Sequence, residues 1–169
     1  MNFRKAVLMT TSNCLEVKQL LSKDDAVKIL NSIKEIEEPR WFTRDAFAPG
    51  RGQTGSTCKY DYCNQIHMSK DTVEFLKQYA PEYDNFFFGE VAVNRYNVGD
   101  YIGPHRDRDI YRRNIVISLQ ENGDGLFVDD TEEFIEDKAG QAVIIDGIGP
   151  VHSVPKVKNE RYSLIFLYE

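Results

Sequence analysis

Four residues of this chain have the types and spacing to do chemistry together: His105, Asp107, His152 and Arg161. The chain has three histidines in all, so a site built on two of them would use most of its imidazole. His105-Arg106-Asp107 is an H-x-D triplet. On an extended segment, residues two apart point to the same face, so an imidazole and a carboxylate at this spacing can grip one ion. His152, in Gly-Pro-Val-His-Ser-Val-Pro, is the candidate for a second imidazole. Two imidazoles and a carboxylate on one face of a metal, with the other positions open, suit non-heme Fe(II) chemistry. Arg161 stands nine residues after His152 and opens the apolar run Tyr162–Phe166. A guanidinium there needs a counter-ion: the carboxylate of a bound small molecule, which its planar fork can take bidentately, or an internal acid.

The ordered set H-x-D, a strand-rich interval, H and then R-Y-S-L-I-F resembles the Fe(II)/2-oxoglutarate dioxygenases, from about Phe86 to Glu169. Arg161 after His-Ser-Val-Pro-Lys-Val is similar to the prolyl-hydroxylase branch. Asn94 and Tyr96, eleven and nine residues before His105, resemble the N-x-Y of the AlkB family. AlkB-like enzymes carry a second arginine six residues beyond the first, where this chain has Leu167. The resemblance implies an oxygenase that binds Fe(II) through His105, Asp107 and His152. It implies 2-oxoglutarate as cosubstrate, held by Arg161, Tyr96 and Asn94, and O2 as oxidant. The reaction implied is hydroxylation of a C–H bond with release of succinate and CO2. An amino-acid side chain, free or in a polypeptide, is the expected substrate; oxidative demethylation or hydroxylation of a nucleic-acid base is the alternative.

These residues must be carried by a scaffold. From Phe86 onward, eight short β-rich runs alternate with turn signals: Phe86–Tyr96, Tyr101–His105, Asn114–Gln120, Gly125–Val128, Glu133–Ile135, Gln141–Asp146, Val151–Val154 and Arg161–Tyr168. Two helices precede them. Ser22-Lys23-Asp24-Asp25 has the form of a capping box before apolar residues at helical spacing, closed by Pro39. Ser69 caps a second helix to about Tyr79, with Val73, Phe75, Leu76 and Tyr79 on its buried side and Pro81 after it. The expected fold is mainly β with flanking α: a double-stranded β-helix, jelly-roll or cupin-like, with two helices packed on one face. One domain, residues 1–169, is expected, with 1–85 as helical support and loop and 86–169 as the jelly-roll core. A short strand is expected near Ala6–Met9, and Cys58–His67 reads as extended.

Residues 41–56, with Pro49-Gly50 and further spaced glycines, read as a long loop. Trp41 and Phe42 read as a hydrophobic anchor. The loop and the arginines around Asp107 are expected at the substrate entrance, with Arg44, Arg113 and Tyr101 as substrate candidates. His67 is the spare histidine, structural or exposed.

Composition narrows the class further. Hydrophobic content of 41% fits a folded globular chain. No apolar run approaches the roughly 18 residues of a membrane span, and the N-terminus lacks a signal-peptide core, so a cytoplasmic location is expected without membrane association. Three cysteines argue against a disulfide framework, and Cys58 and Cys63 alone are a weak metal pair. A net charge of −6 disfavours non-specific duplex binding. Acidic residues from Glu121 to Asp137 read as a solvated rim on hairpin turns.

Overall fold

The computed structural model describes residues 7–10, 13–48, 56–107 and 110–169, and leaves side chains undescribed at 7–14, 46–48 and 56. Its elements in chain order are β1 (Val7–Thr10), β2 (Asn13–Gln19), α1 (Lys23–Lys34), β3 (Phe42–Ala48), β4 (Ser56–Asn64), α2 (Lys70–Lys77), β5 (Phe88–Tyr96), β6 (Tyr101–His105), β7 (Arg113–Ser118), β8 (Gly125–Val128), β9 (Glu133–Glu136), β10 (Gln141–Asp146), β11 (His152–Val154) and β12 (Arg161–Tyr168). The eight strands expected after Phe86 are β5 to β12, with shifts of a residue or two at their ends.

All pairings are antiparallel, and the path runs β1-β2-β10-β7-β12-β5-β4-β6-β11-β8-β9, with β3 on β4. The sheet curls because β4 changes partner along its length. Its residues 61–64 pair with β5, whereas Cys58 and Lys59 pair with β6. This is the jelly-roll of the sequence expectation, but it is not confined to residues 86–169. Strand β2 lies beside β10, and β4 lies between β5 and β6. Residues 42–48, expected as loop, form β3, while 49–55 lie outside the described residues.

Alternation along β12 decides where the site can be. Tyr162, Leu164, Phe166 and Tyr168 pack outward into the main core, against Ala26, Ile29 and Ile33 of α1 and Leu76 of α2. Arg161, Ile165 and Leu167 face the inside of the curl. Both helices start as the sequence implies: Ser22 Oγ accepts from the Asp25 amide and Ser69 Oγ from the Thr72 amide, each at 3.1 Å. Of the two expected anchor residues, Trp41 is buried in that core with its indole N–H donating to the Ile36 carbonyl at 3.2 Å, whereas Phe42 is exposed. Two smaller clusters lie apart from the main core, one around Leu126, Val143 and Ile145, the other around Tyr60, Tyr96 and Ile102.

Candidate metal and cosubstrate site

His105 and His152 are register partners on β6 and β11, which brings their ring centroids to 4.4 Å. Strand β6 ends at His105, so Asp107 is not aimed by strand alternation as the triplet suggested. Its backbone N–H instead donates to the Ile148 carbonyl at 3.1 Å, which ties it to the turn that leads into β11. Gly149 shapes that turn with a φ of +61°, and a Cβ there would run into the Ile145 side chain.

The three ligand atoms lie within 4.8 Å of one another. Asp107 Oδ1 is 3.9 Å from His105 Nε2 and 3.6 Å from His152 Nε2. These gaps are too long for hydrogen bonds. They are somewhat wider than the roughly 3 Å between neighbouring donors on one cation with bonds of about 2.1 Å. The imidazoles are prepared as ligands. His105 Nδ1 lies 2.9 Å from the Gly103 carbonyl and His152 Nδ1 lies 3.0 Å from the Pro150 carbonyl. A ring nitrogen facing a carbonyl carries the proton, so each Nε2 turns its lone pair toward Asp107. On the carboxylate side, Asn114 Nδ2 donates to Asp107 Oδ2 at 2.6 Å, leaving Oδ1 to face both imidazoles. A divalent cation that prefers nitrogen and oxygen donors fits this set.

Arg161 is 2% exposed and has an internal acid as partner. Its Nε donates to Asp137 Oδ2 at 2.6 Å and its Nη2 to Asp137 Oδ1 at 3.1 Å. Ser118 Oγ donates to the same Oδ1 at 2.6 Å. Burial opposes the arginine's charge, but Asp137 outweighs it and holds Arg161 above its usual range. So the internal-acid option of the sequence reading is realised, and Arg161 also lines the cavity. Its Nη1 hydrogen-bonds to no described residue, and its guanidinium lies 5.0 Å from the Tyr96 ring centroid.

A cavity of about 340 Å³ joins these groups. Its floor follows the sheet register in rows: Arg161 beside Tyr96, Ile165 beside Ala92 and Leu167 beside Glu90. Asn94 and Tyr96 both line it, with Asn94 Nδ2 3.3 Å from the Tyr96 hydroxyl. Arg44 lines it as well, stacked 4.3 Å over Tyr62.

Two expected substrate residues are elsewhere. Arg113 alternates with Asn114 on β7 and faces the opposite side, where it grips Asp146 at 2.6 and 2.8 Å and covers Tyr83 and Phe86. Tyr101 neighbours the inward-facing Ile102 and does not line the cavity. His67 packs on Phe42 at 4.2 Å, away from the other two histidines. Cys58 and Cys63 are buried in separate clusters on the two sides of β4, so they form no metal pair. The acidic rim also needs correction: Asp137 is the partner of Arg161, and buried Asp124 accepts from the Lys158 and Asn159 amides.

The sequence matches no family model and no curated protein. Solved structures are similar at low identity. The viral collagen prolyl hydroxylase of Paramecium bursaria Chlorella virus-1 is 20% identical, with a TM-score of 0.54 over 91% of this chain and 94% of that one. A Pseudomonas putida prolyl-4-hydroxylase is 18% identical, with a TM-score of 0.60 over 92% and 91%. OsALKBH1 is 16% identical, with a TM-score of 0.60 over 94% and 99%. The curled antiparallel sheet with two helices on its outer face is therefore the double-stranded β-helix fold on which 2-oxoglutarate/Fe(II) oxygenases are built.

Proposed function

We propose that residues 1–169 form a single Fe(II)- and 2-oxoglutarate-dependent dioxygenase domain. It hydroxylates a C–H bond of an amino-acid side chain, free or in a polypeptide, and releases succinate and CO2. The observation that carries this reading is the convergence of His105 Nε2, Asp107 Oδ1 and His152 Nε2 on the wall of a cavity that also reaches Arg161. When bound, Fe(II) supplies the oxygen activation that no side chain can provide.

The chain's own residues do the rest. The Gly103 and Pro150 carbonyls and Asn114 fix the three ligands in orientation. Nη1 of Arg161 offers N–H donors to the distal carboxylate of 2-oxoglutarate, with Tyr96 and Asn94 beside it. Ile165, Val116 and Leu126 line the cavity between them and exclude water from the reacting centre. The likeness to prolyl hydroxylases of a virus and a bacterium supports the amino-acid substrate.

The alternative, oxidation of a nucleic-acid base, draws on the inward-facing Asn94–Tyr96 pair and on the likeness to OsALKBH1. Leu167 weighs against it, because it puts an apolar side chain in the cavity where AlkB-like sequences have their second arginine.

Anaerobic addition of Fe(II) and 2-oxoglutarate, followed by the metal-to-ligand absorption band, tests the site. Succinate release in air, with peptide and oligonucleotide panels read by mass shift, then tests the reaction. Asp107→Ala should abolish both signals. Succinate release at the wild-type rate in that variant would sink the assignment.

A further inference from the structure

Leu167 on β12 is the register partner of Glu90 on β5 and of Asn114 on β7. Glu90, Leu167 and Asn114 therefore form one row across the inner face, roughly 10 Å from end to end at two strand spacings. All three line the cavity. Asn114 joins this row to the metal ligands, because its Nδ2 holds Asp107. Arg161 lies three inward-facing positions away along β12, so a cosubstrate anchored there leaves the row to the substrate.

Apart from the Asn114 nitrogen that holds Asp107, the polar atoms of the row are acceptors. The amide of Asn114 can present only nitrogen to a carboxylate, which fixes Oδ1 as the remaining atom. Asn114 is 9% exposed, and its Oδ1 is buried with no partner among the described residues. Buried acceptors are seldom left unpaired, since the lost hydration is not recovered. Glu90 accepts one hydrogen bond, from the Tyr111 hydroxyl at 2.8 Å, and no described lysine or arginine pairs with it. Burial, and then the bond to Glu90, push the Tyr111 phenol up to about 12. Tyr111 therefore stays a donor at neutral pH.

We propose that this row selects a substrate carrying a protonated amine, received by Glu90 and Asn114 beside the metal ligands. The proposal rests on the reading of the site given above. It narrows the substrate from any side chain to one with a cationic N–H donor group. An anionic substrate would meet the Glu90 carboxylate in the cavity wall.

Titration calorimetry with n-butylammonium, 1-butanol and butyrate tests the recognition without iron. Butylammonium should bind at least about tenfold more tightly than 1-butanol, the ratio expected for one charge-assisted hydrogen bond, and butyrate least. Glu90→Gln is isosteric and keeps an acceptor for Tyr111, and it should erase the preference. Glu90→Asp keeps the charge and should retain most of it. Equal binding of the three probes, preference for butyrate, or a Glu90→Gln chain that still prefers the amine would overturn the proposal. The iron reading is checked separately by the Fe(II)–2-oxoglutarate absorption band. An amine preference without that band would sink the oxygenase reading alone, and the band without the preference would sink this proposal alone.

Discussion

Asn114 Nδ2 lies 2.6 Å from Asp107 Oδ2, and this contact decides which carboxylate oxygen faces the two imidazoles. Without it the carboxylate can rotate and spend its ligand oxygen on solvent. Asn114→Ala should therefore weaken Fe(II) binding by about 10- to 100-fold, the usual cost of losing such a supporting bond. Metal titration of the purified variant measures this. Affinity equal to that of the parent would show that the contact does not orient the ligand.

The contrast between Asn114 and the residues that the sequence brings to notice shows what kinds of signal a sequence carries. His105 and His152 are two of only three histidines, and Arg161 is a lone charge opening an apolar run, so their convergence was legible from type and order. Asn114 stands at the start of an apolar strand, where a polar residue reads as a turn edge. Its role exists only because β7 lies next to β12 and faces Asp107. Asp137 was hidden in a run of acids whose other members are mostly exposed. No spacing rule separates the one that turns inward. Strand β3 was hidden by the glycines that follow it, because its pairing with β4 is set by long-range register. Arg113 was misplaced for a related reason: proximity in sequence to Asp107 does not fix which face of β7 it occupies.

Arg44 and Arg113 should consequently separate in mutation. Arg44→Ala removes a side chain that stacks on Tyr62 and shapes the cavity wall, and should raise the substrate KM with little effect on that of 2-oxoglutarate. Arg113→Ala breaks a bidentate pair with Asp146 on the opposite face and should lower the melting temperature instead. Steady-state kinetics and thermal melts on the two variants decide this. An increase in KM from Arg113→Ala comparable to that of Arg44→Ala would contradict the placement.

Asp61 offers a test of the scaffold by pH. It is 5% exposed, accepts from Thr43 at 2.6 Å and from Arg95 Nε at 3.0 Å, and joins β3, β4 and β5. Burial pushes its carboxyl up, but the hydrogen bonds from Thr43 and Arg95 outweigh this and hold it below the usual carboxylate range. A depressed folded pKa means that the unfolded chain takes up the proton first as pH falls. The stability from Asp61 is thus fully present above about pH 4 and is lost as pH drops through the folded value. Asp61→Asn should lower stability at neutral pH and flatten the fall of melting temperature between about pH 5 and pH 2. A parallel, merely lowered curve would place the acid sensitivity in other groups.

The Arg161–Asp137 pair sets two roles against each other, and the variants distinguish them. If the arginine serves only as an internal ion pair, Arg161→Ala and Asp137→Asn should both cost stability and neither should change 2-oxoglutarate affinity. If Arg161 also anchors the cosubstrate, the two variants diverge. Arg161→Ala should weaken 2-oxoglutarate by about two orders of magnitude, from the roughly 2–5 kcal/mol lost when one partner of a buried charge pair is truncated. Iron affinity should stay close to that of the parent, since Arg161 is no ligand. Asp137→Asn leaves a buried guanidinium short of its counter-ion and should cost about 3–5 kcal/mol. For a domain of this size that lowers the melting temperature by roughly 10 °C. In this variant a bound carboxylate can supply the missing charge, so 2-oxoglutarate should raise the melting temperature more than it does in the parent. Melts of the Fe(II)-loaded proteins over a series of 2-oxoglutarate concentrations read both effects. A ligand-induced shift in Asp137→Asn no larger than the parent's, together with unchanged affinity in Arg161→Ala, would assign the arginine to the scaffold alone.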